Sequence, residues 1–573
     1  MNRFNDETPK GRIVALLLFS LVSIGLISVR LFVLQVVSHD YYLALASAQH
    51  ERSQELNPVR GRILLNDRFS QEPYLVATNE NRPRITADPQ QISEEGFTAQ
   101  KLSEILEIDE RVTLDKLKDK DRKYVVIAGA ASREKAEEIT KAHLPGIFLE
   151  DQSYRQYPEN FLAAQVLGFM GFSEDRRMGV YGIERSFQEV LAGKPGLLAG
   201  ARDLRGNWIT TGSRDFEPAI DGRDIILTLD RAVQYKVEEV LAKTVQQFGA
   251  KRGSVVVLDP KTGAVLAMAN FPTFNLNEFN NVEDIDIFNN HSVQTAYEPG
   301  SVMKPVTFAA ALNEEAITPE TEFEDPGFVD LENFTIKNAN SKIFGKVNMT
   351  QVLNESINTG LVFVEQQVGH EKFREYMENF GFGSTTGIEL PLEGGGNIKN
   401  LYRGGDLYPA TISYGQGMTA TPIQIVAAYA AIANGGKLYK PYIVDKITSS
   451  IGEEKTNPKL QAEVISQKAA TTLGAMMVSV VEQGHGSRAG VPGYFIAGKT
   501  GTAQVPYENR AGYDPDRTIG TFAGFGPISD PVFAMVVKIE EPQGVQFAES
   551  TAAPAFGEIA KFILQYYQVP TTR

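Results

Sequence analysis

A chain of 573 residues is too long for one ordinary hydrophobic core and implies several domains. Its 71 acidic and 56 basic side chains give a formal charge of −15, which argues for solubility of the exposed surface and against nucleic acid as the main partner. With no cysteine there is no disulfide, thiolate metal site or Cys nucleophile. The six histidines (His39, His50, His143, His291, His370 and His485) show no metal-ligand spacing, so neither a metal nor another cofactor is expected.

Ile13 to Val29 is uncharged and strongly apolar, and a second apolar stretch, Leu31 to Val37, follows Arg30. At about 1.5 Å per residue the first run spans roughly 26 Å, a little less than a bilayer core of about 30 Å. Residues 30–37 supply the remainder if Arg30 snorkels to the interface. Lys10 and Arg12 flank the run, so the positive-inside rule makes 1–12 a cytoplasmic tail, 13–37 a single-pass anchor, and the rest extracytoplasmic. A cleaved signal is the competing reading. Its small-x-small site, Ala44-Leu45-Ala46, lies beyond the polar pair His39-Asp40, and the apolar run is long for a signal peptide.

Residues 38–221 read as an α/β mixture. Asp40–Arg52 has helical character, and Arg60-Gly61-Arg62 leads into a strand, Ile63-Leu64-Leu65, that breaks at Asn66-Asp67. Ser132–His143 is a helix with Ser132 as its cap, stopped by Pro145-Gly146. Gly182-Ile183-Glu184-Arg185 opens another helix that ends near Gly193. The texture changes near residue 222. Ile225–Leu229 is a strand, Arg231–Phe248 a helix, and Ser254–Leu258 with Ala264–Met268 a hairpin. A helical middle follows, then a second hairpin of Thr521–Phe525 and Val532–Lys538, then a closing helix over Ala555–Tyr567. The expected class is α+β: an anchor helix, an elongated pedestal over 38–221, and a second domain over 222–573 with an antiparallel sheet flanked by helices.

An exported enzyme without Cys or metal commonly uses Ser, and the histidines offer it no convincing base. Pro299-Gly300-Ser301-Val302-Met303-Lys304-Pro305 supplies a Lys instead, since i and i+3 share one face of a helix. Pro305 is tolerated only near a helix start, which puts Ser301 in the first turn, where the helix dipole favours negative charge on its oxygen. A Lys that acts as base must be neutral part of the time, through burial or a nearby cation. Ser-x-x-Lys alone carries little weight, because Ser132 and Lys135 repeat it on a capped surface helix. Lys-Thr-Gly also occurs twice, and Lys261-Thr262-Gly263 is a hairpin turn. What carries weight is the order: Ser301 with Lys304, then Ser356 with Asn358, then Lys499-Thr500-Gly501 followed by Thr502, all within one domain-sized stretch.

With this ordered triple the chain resembles the class B penicillin-binding proteins, monofunctional peptidoglycan D,D-transpeptidases. The likeness spans nearly the whole sequence. It includes Leu227-Thr228-Leu229-Asp230, Val257-Leu258-Asp259-Pro260 and Ser413-Tyr414-Gly415-Gln416-Gly417 in the later domain. In the pedestal it includes Arg60-Gly61-Arg62-Ile63, Arg155-x-Tyr157-Pro158, Gly182-Ile183-Glu184 and Asp203-x-Arg205-Gly206, which imply a structural role. The family's Asp-Arg-Asn-Gly after the first pedestal motif is altered here to Asn66-Asp67-Arg68-Phe69.

The resemblance implies that Ser301 attacks the carbonyl between two terminal D-alanines and that Lys304 takes its proton, with the identity of the true base left open. It implies that backbone N–H groups of Ser301 and Thr502 form the oxyanion hole and that Ser356, helped by the field of Lys499, relays the proton to the leaving group. Asn358 would hold the substrate amide, and Thr500, Gly501 and Thr502 the terminal carboxylate. β-Lactams would be bound as mimics.

A carboxypeptidase or β-lactamase-like hydrolase and a non-catalytic scaffold or sensor are the alternatives. The anchor and pedestal argue against the first, the intact triple against the second. A built-in glycosyltransferase is rejected because no His follows Glu150-Asp151 in the required short motif. A polytopic membrane glycosyltransferase is therefore the implied partner, with the division septum favoured over the side wall.

Overall fold

The computed structural model describes residues 10–571 apart from 40, 43–50, 71, 174, 175, 202–213, 451, 508, 509 and 511. Ala44-Leu45-Ala46 and Asp203-x-Arg205-Gly206 lie outside the described residues. The chain forms two compact bodies, Met1–Val59 with Gly193–Gly222, and Arg60–Ala192 with Arg223–Arg573.

The first body contains the apolar helix Lys10–Phe32, extended by a wider helical turn to Val37. The segment Ile13–Val37 is long and apolar enough to cross a membrane, and none of it is buried against protein. An unburied apolar helix of this length is unstable in water and suited to lipid. The same body holds a three-stranded antiparallel sheet with Gly196–Ala201 between Glu51–Leu56 and Arg214–Glu217. The helix expected over Asp40–Arg52 is corrected in part: Glu51 and Arg52 are strand, paired with Ala201 and Gly200. Local helix propensity there loses to pairing with a segment about 150 residues away, which only the tertiary fold supplies.

In the second body the expected strand at 63 is Ile63–Asn66, and it runs parallel to Asp224–Asp230. The sheet so formed has seven strands and crosses residues 221/222 in the chain. Its order is Gly452–Lys455, Val444–Ser449, Asp224–Asp230, Ile63–Asn66, Tyr74–Ala87, Val125–Ala128, with Ile147–Gln156 also on Tyr74–Ala87. Gly61 sits where this sheet begins, and a Cβ there would lie 1.9 Å from the Arg223 carbonyl oxygen, so only glycine fits.

The pedestal motifs converge on one carboxylate. Glu184, with 0% of its surface exposed, accepts from Arg60 Nε at 2.8 Å, Arg155 Nε at 2.6 Å and Tyr157 Oη at 3.3 Å. Burial pushes its pKa up, but the two guanidinium groups more than offset this and hold it below the usual range. The altered turn after Asn66 is accommodated by the closing helix: Arg68 lies 4.1 Å over the Tyr567 ring, and Phe69 meets Tyr566 edge-on.

The second sheet is five-stranded and antiparallel, in the order Val265–Phe271, Arg252–Leu258, Phe533–Glu540, Tyr513–Gly526, Ala497–Pro506. Both hairpins read from the sequence are in it. Its period-2 alternation is apolar on both faces, which requires cover on both sides. Val255, Val257, Met535 and Val537 pack with Val237 and Val240 of the helix Arg231–Gln247 and with Phe556 and Ile559 of the helix Ala552–Tyr566. Val256, Leu258, Ala534 and Val536 belong to the opposite core, with Ile425 and Tyr429 of the helix Pro422–Ala433. That helix is apolar all round and buried along its length, capped by Thr421 and Gln424 in a capping box. The strand Ala497–Pro506 is left at the sheet edge.

Candidate active site

Ser301 lies in a 3₁₀ turn, Gly300–Met303, that runs into the helix Lys304–Asn313. The expectation that it occupies the first α-turn is therefore corrected by one turn. Pro305 has no N–H to donate to the Ser301 carbonyl, so the bond comes from Lys304 N–H, three residues on, and tightens the turn. Gly300 has φ +59°, and its N–H donates to the Gly415 carbonyl at 3.0 Å. A Cβ on Gly415 would lie 2.1 Å from the Gly300 carbonyl oxygen. The Ser413–Gly417 motif is thus the backbone seat of the Ser301 turn. Tyr429 Oη donates to the Val302 carbonyl at 2.8 Å from below, and Thr307 Oγ1 donates to the Ser413 carbonyl at 2.7 Å.

Lys304 is fully buried, and its Nζ donates to the Ser356 carbonyl at 2.6 Å, Ser356 Oγ at 3.0 Å and Asn358 Oδ1 at 2.8 Å. An ammonium has three N–H bonds, so this set uses all of them. Ser356 reaches Lys304 with both its carbonyl and its hydroxyl because its backbone is left-handed, φ +56°, in the link between the helices Met349–Asn354 and Asn358–Val368. Such a conformation in a non-glycine residue costs about 1–3 kcal/mol and persists only where its surroundings enforce it. Asn358 opens the second helix. Its Nδ2 donates to the Lys337 carbonyl at 3.0 Å, which fixes the amide with its oxygen toward Lys304.

Lys499, Thr500, Gly501 and Thr502 lie on the edge strand Ala497–Pro506, which packs against the Gly300–Met303 turn. Gly501 is the point of contact: a Cβ there would lie 2.9 Å from both the Pro299 oxygen and the Val302 nitrogen. Thr502 Oγ1 accepts from Ala548 N at 3.2 Å. Lys499 is fully buried, with Nζ 3.1 Å from the Thr500 carbonyl. Burial pushes its pKa down to about 7. Burial, then the charge of Lys499, push Lys304 well below its usual range. The downward shift of Lys304 has the causes expected from chemistry, desolvation first and then a second cation.

The decoy motifs lie apart from this cluster. Ser132 Oγ caps its own helix by accepting from Lys135 N at 3.2 Å, and Lys261 Nζ pairs with Asp530. Sequence reasoning missed Glu298, which accepts from Gly417 N at 3.0 Å and from Tyr513 Oη at 2.9 Å and so ties the segment before Ser301 to two distant ones. It also missed the buried polar group Asp325, Asn338 and Thr359 under the start of the Asn358 helix. No spacing rule signals such contacts, because each joins segments far apart in the chain.

Residues 253–561 match the family model described as the penicillin binding protein transpeptidase domain, and residues 55–227 that of the penicillin-binding protein dimerisation domain. Stage V sporulation protein D of Bacillus subtilis is 32% identical, over 98% of this chain and 86% of its own length. Peptidoglycan D,D-transpeptidase FtsI of Escherichia coli is 29% identical, over 93% of this chain and 88% of its own. The crystal structure of penicillin binding protein 3 from Mycobacterium tuberculosis, complexed with aztreonam, matches with a TM-score of 0.70 at 26% identity, covering 91% of this chain and 98% of that one.

Proposed function

The chain belongs to the class B penicillin-binding proteins, and on that premise we propose that it crosslinks peptidoglycan stem peptides through an acyl-enzyme on Ser301. Family membership makes it a transpeptidase of cell-wall synthesis with one N-terminal helix long and apolar enough to anchor it. The observation that carries the finer reading is the set of contacts on Lys304. A buried, depressed lysine sits one turn after Ser301 and holds Ser356 and Asn358, while the Lys499 strand packs on the same turn.

In this reading Ser301 Oγ adds to the carbonyl between the terminal D-alanines as its proton passes to neutral Lys304. A neutral amine has two N–H bonds and one lone pair, so only two of the three groups around Nζ still accept from it while the lone pair takes the Ser301 proton; once protonated, Lys304 again donates to all three. Of these the Ser356 hydroxyl alone carries a proton to donate, since the other two are carbonyl oxygens. Ser356 is thereby suited to pass the proton from Lys304 to the nitrogen of the leaving D-alanine. The Thr502 carbonyl faces the Gly300 turn, and in an antiparallel strand the N–H of a residue points the same way as its carbonyl. This supports the N–H groups of Thr502 and Ser301 as the oxyanion hole, where losing one donor costs about 3–4 kcal/mol. Lys499, Thr500, Gly501 and Thr502 receive the terminal carboxylate. The amine of a second stem then adds to the ester, loses a proton, and expels Ser301, which regains its own.

Lys10 and Arg12 before the anchor support a cytoplasmic N-terminus and an extracytoplasmic catalytic domain. With no glycan polymerase motif of its own, the protein works beside a polytopic membrane glycosyltransferase, at the septum in preference to the side wall. The test is chemical. Intact-mass and peptide mapping after penicillin treatment should find one stable adduct, on Ser301, that is absent from Ser301→Ala. It should persist in Ser132→Ala and Lys261→Ala. An adduct on another residue, or full labelling of Ser301→Ala, refutes the assignment.

A further inference from the structure

Beneath the Asn358 helix lies a carboxylate that none of these steps uses. Asp325 is 1% exposed, and among the described residues no Lys, Arg or His forms an ion pair with it. It is held by neutral donors instead. Its Oδ1 accepts from Gly327 N at 2.9 Å and Thr359 Oγ1 at 2.6 Å, its Oδ2 from Phe344 N at 2.8 Å, and both oxygens from Asn338 Nδ2, at 3.1 and 2.9 Å. Burial pushes its pKa up, but these bonds, that from Thr359 first, hold it below the usual range, so it is ionised. An ionised carboxylate buried without a cation is costly, and neutral donors must compensate it.

The donors are not arbitrary. Asn338 Oδ1 accepts from Thr359 N at 3.2 Å, and the carbonyl of the preceding Lys337 accepts from Asn358 Nδ2 at 3.0 Å. Lys337 and Asn338 therefore clamp Asn358 and Thr359 side by side, and Asp325 grips both halves of the clamp, Asn338 on one side and Thr359 on the other. The helix beginning at Asn358 also points its N-terminal end at this carboxylate, where negative charge is favoured. One bond further on, Asn358 Oδ1 holds Lys304.

We propose that Asp325 is a positioning residue for acyl transfer, which through Asn338 and Thr359 sets the Asn358 amide against Lys304. The proposal rests on Ser301 acyl transfer as read above. A shift of about 1 Å in such a group costs on the order of 100-fold in rate, so partial loosening should cost 10-fold or more. Thr359→Val keeps the side-chain shape and removes the hydroxyl, whereas Thr359→Ser keeps the hydroxyl and loses a methyl group.

The experiment is stopped-flow acylation of the full-length protein in detergent with a fluorescent penicillin, separating the acylation rate constant from the affinity of the preceding non-covalent complex. Unfolding temperatures are measured in parallel. The expected result is a loss of 10-fold or more in the rate constant for Thr359→Val, with affinity within about 2-fold and with Thr359→Ser near wild type. Asp325→Asn, where it folds, should lose at least as much. Wild-type rates in Thr359→Val, equal losses in the Val and Ser variants, or a loss confined to affinity would overturn the proposal. Absence of a Ser301 adduct in the wild-type protein would instead overturn the reading on which it rests.

Discussion

Gly501→Ala should slow acylation while leaving the protein folded. The added Cβ meets the Pro299 carbonyl oxygen and the Val302 nitrogen at 2.9 Å and Val302 Cγ1 at 3.0 Å, whereas ordinary contact begins at 3.4 Å. Relief requires a separation of about 0.5 Å (3.4 less 2.9) between the edge strand and the turn that carries Ser301. Two of the three obstructing atoms are backbone, so a rotamer change cannot absorb it. Overpacking of this kind costs about 1–3 kcal/mol of stability. Acyl transfer tolerates errors of only about 0.5 Å in its reacting groups. With a 1 Å error worth on the order of 100-fold, a loss of roughly 10-fold in the acylation rate is expected. Time-resolved labelling with a fluorescent penicillin reads this directly. Gly404→Ala, at an exposed glycine with nothing within 4 Å, is the control and should acylate normally. Wild-type acylation by Gly501→Ala at unchanged melting temperature would show that the strand and turn do not depend on each other as argued.

The rate of acylation should follow a bell in pH. It rises as Lys304, depressed by burial and by Lys499, loses its proton, and it falls as Lys499, near 7, loses the charge that attracts the substrate carboxylate. Lys499→Ala removes a cation that pushes Lys304 down, so the Lys304 pKa rises and the acid limb moves to higher pH while the alkaline limb disappears; a pH series of acylation constants for both proteins checks this. Glu184→Gln breaks a buried pair held by Arg60 and Arg155 and should cost about 3–5 kcal/mol. Calorimetry should show that cost, whereas penicillin titration of the molecules that remain folded should give near-normal acylation. Protease added to spheroplasts should digest the catalytic domain, and fractionation should leave the intact chain in the membrane. A soluble product beginning near Ser47 would refute the anchor.

Elements whose cause is local were legible without coordinates. The anchor is a run of apolar residues. The two hairpins are alternations closed by turns, and the helix at Ser132 is capped by its own first residue. The Ser-x-x-Lys spacing could be read as one helix face because i and i+3 are neighbours there, and the order of the three motifs set this copy apart from the one at Ser132. Pro305 marks a helix start in the sequence, and it lies in the first turn of the helix Lys304–Asn313. Only the geometry showed that it tightens the Ser301 turn into 3₁₀ form.

Tertiary structure decided everything that depends on segments distant in the chain. Glu51 and Arg52 became strand because a partner some 150 residues away offered its edge. The left-handed backbone of Ser356, the seat that Gly415 makes for Gly300, and the carboxylate of Asp325 under Thr359 each need two or three remote segments at once. The same holds for the chemistry. A lysine has its ordinary pKa in any local sequence. What lowers it at Lys304 is complete burial beside Lys499, 195 positions on, and burial is a property of the folded whole.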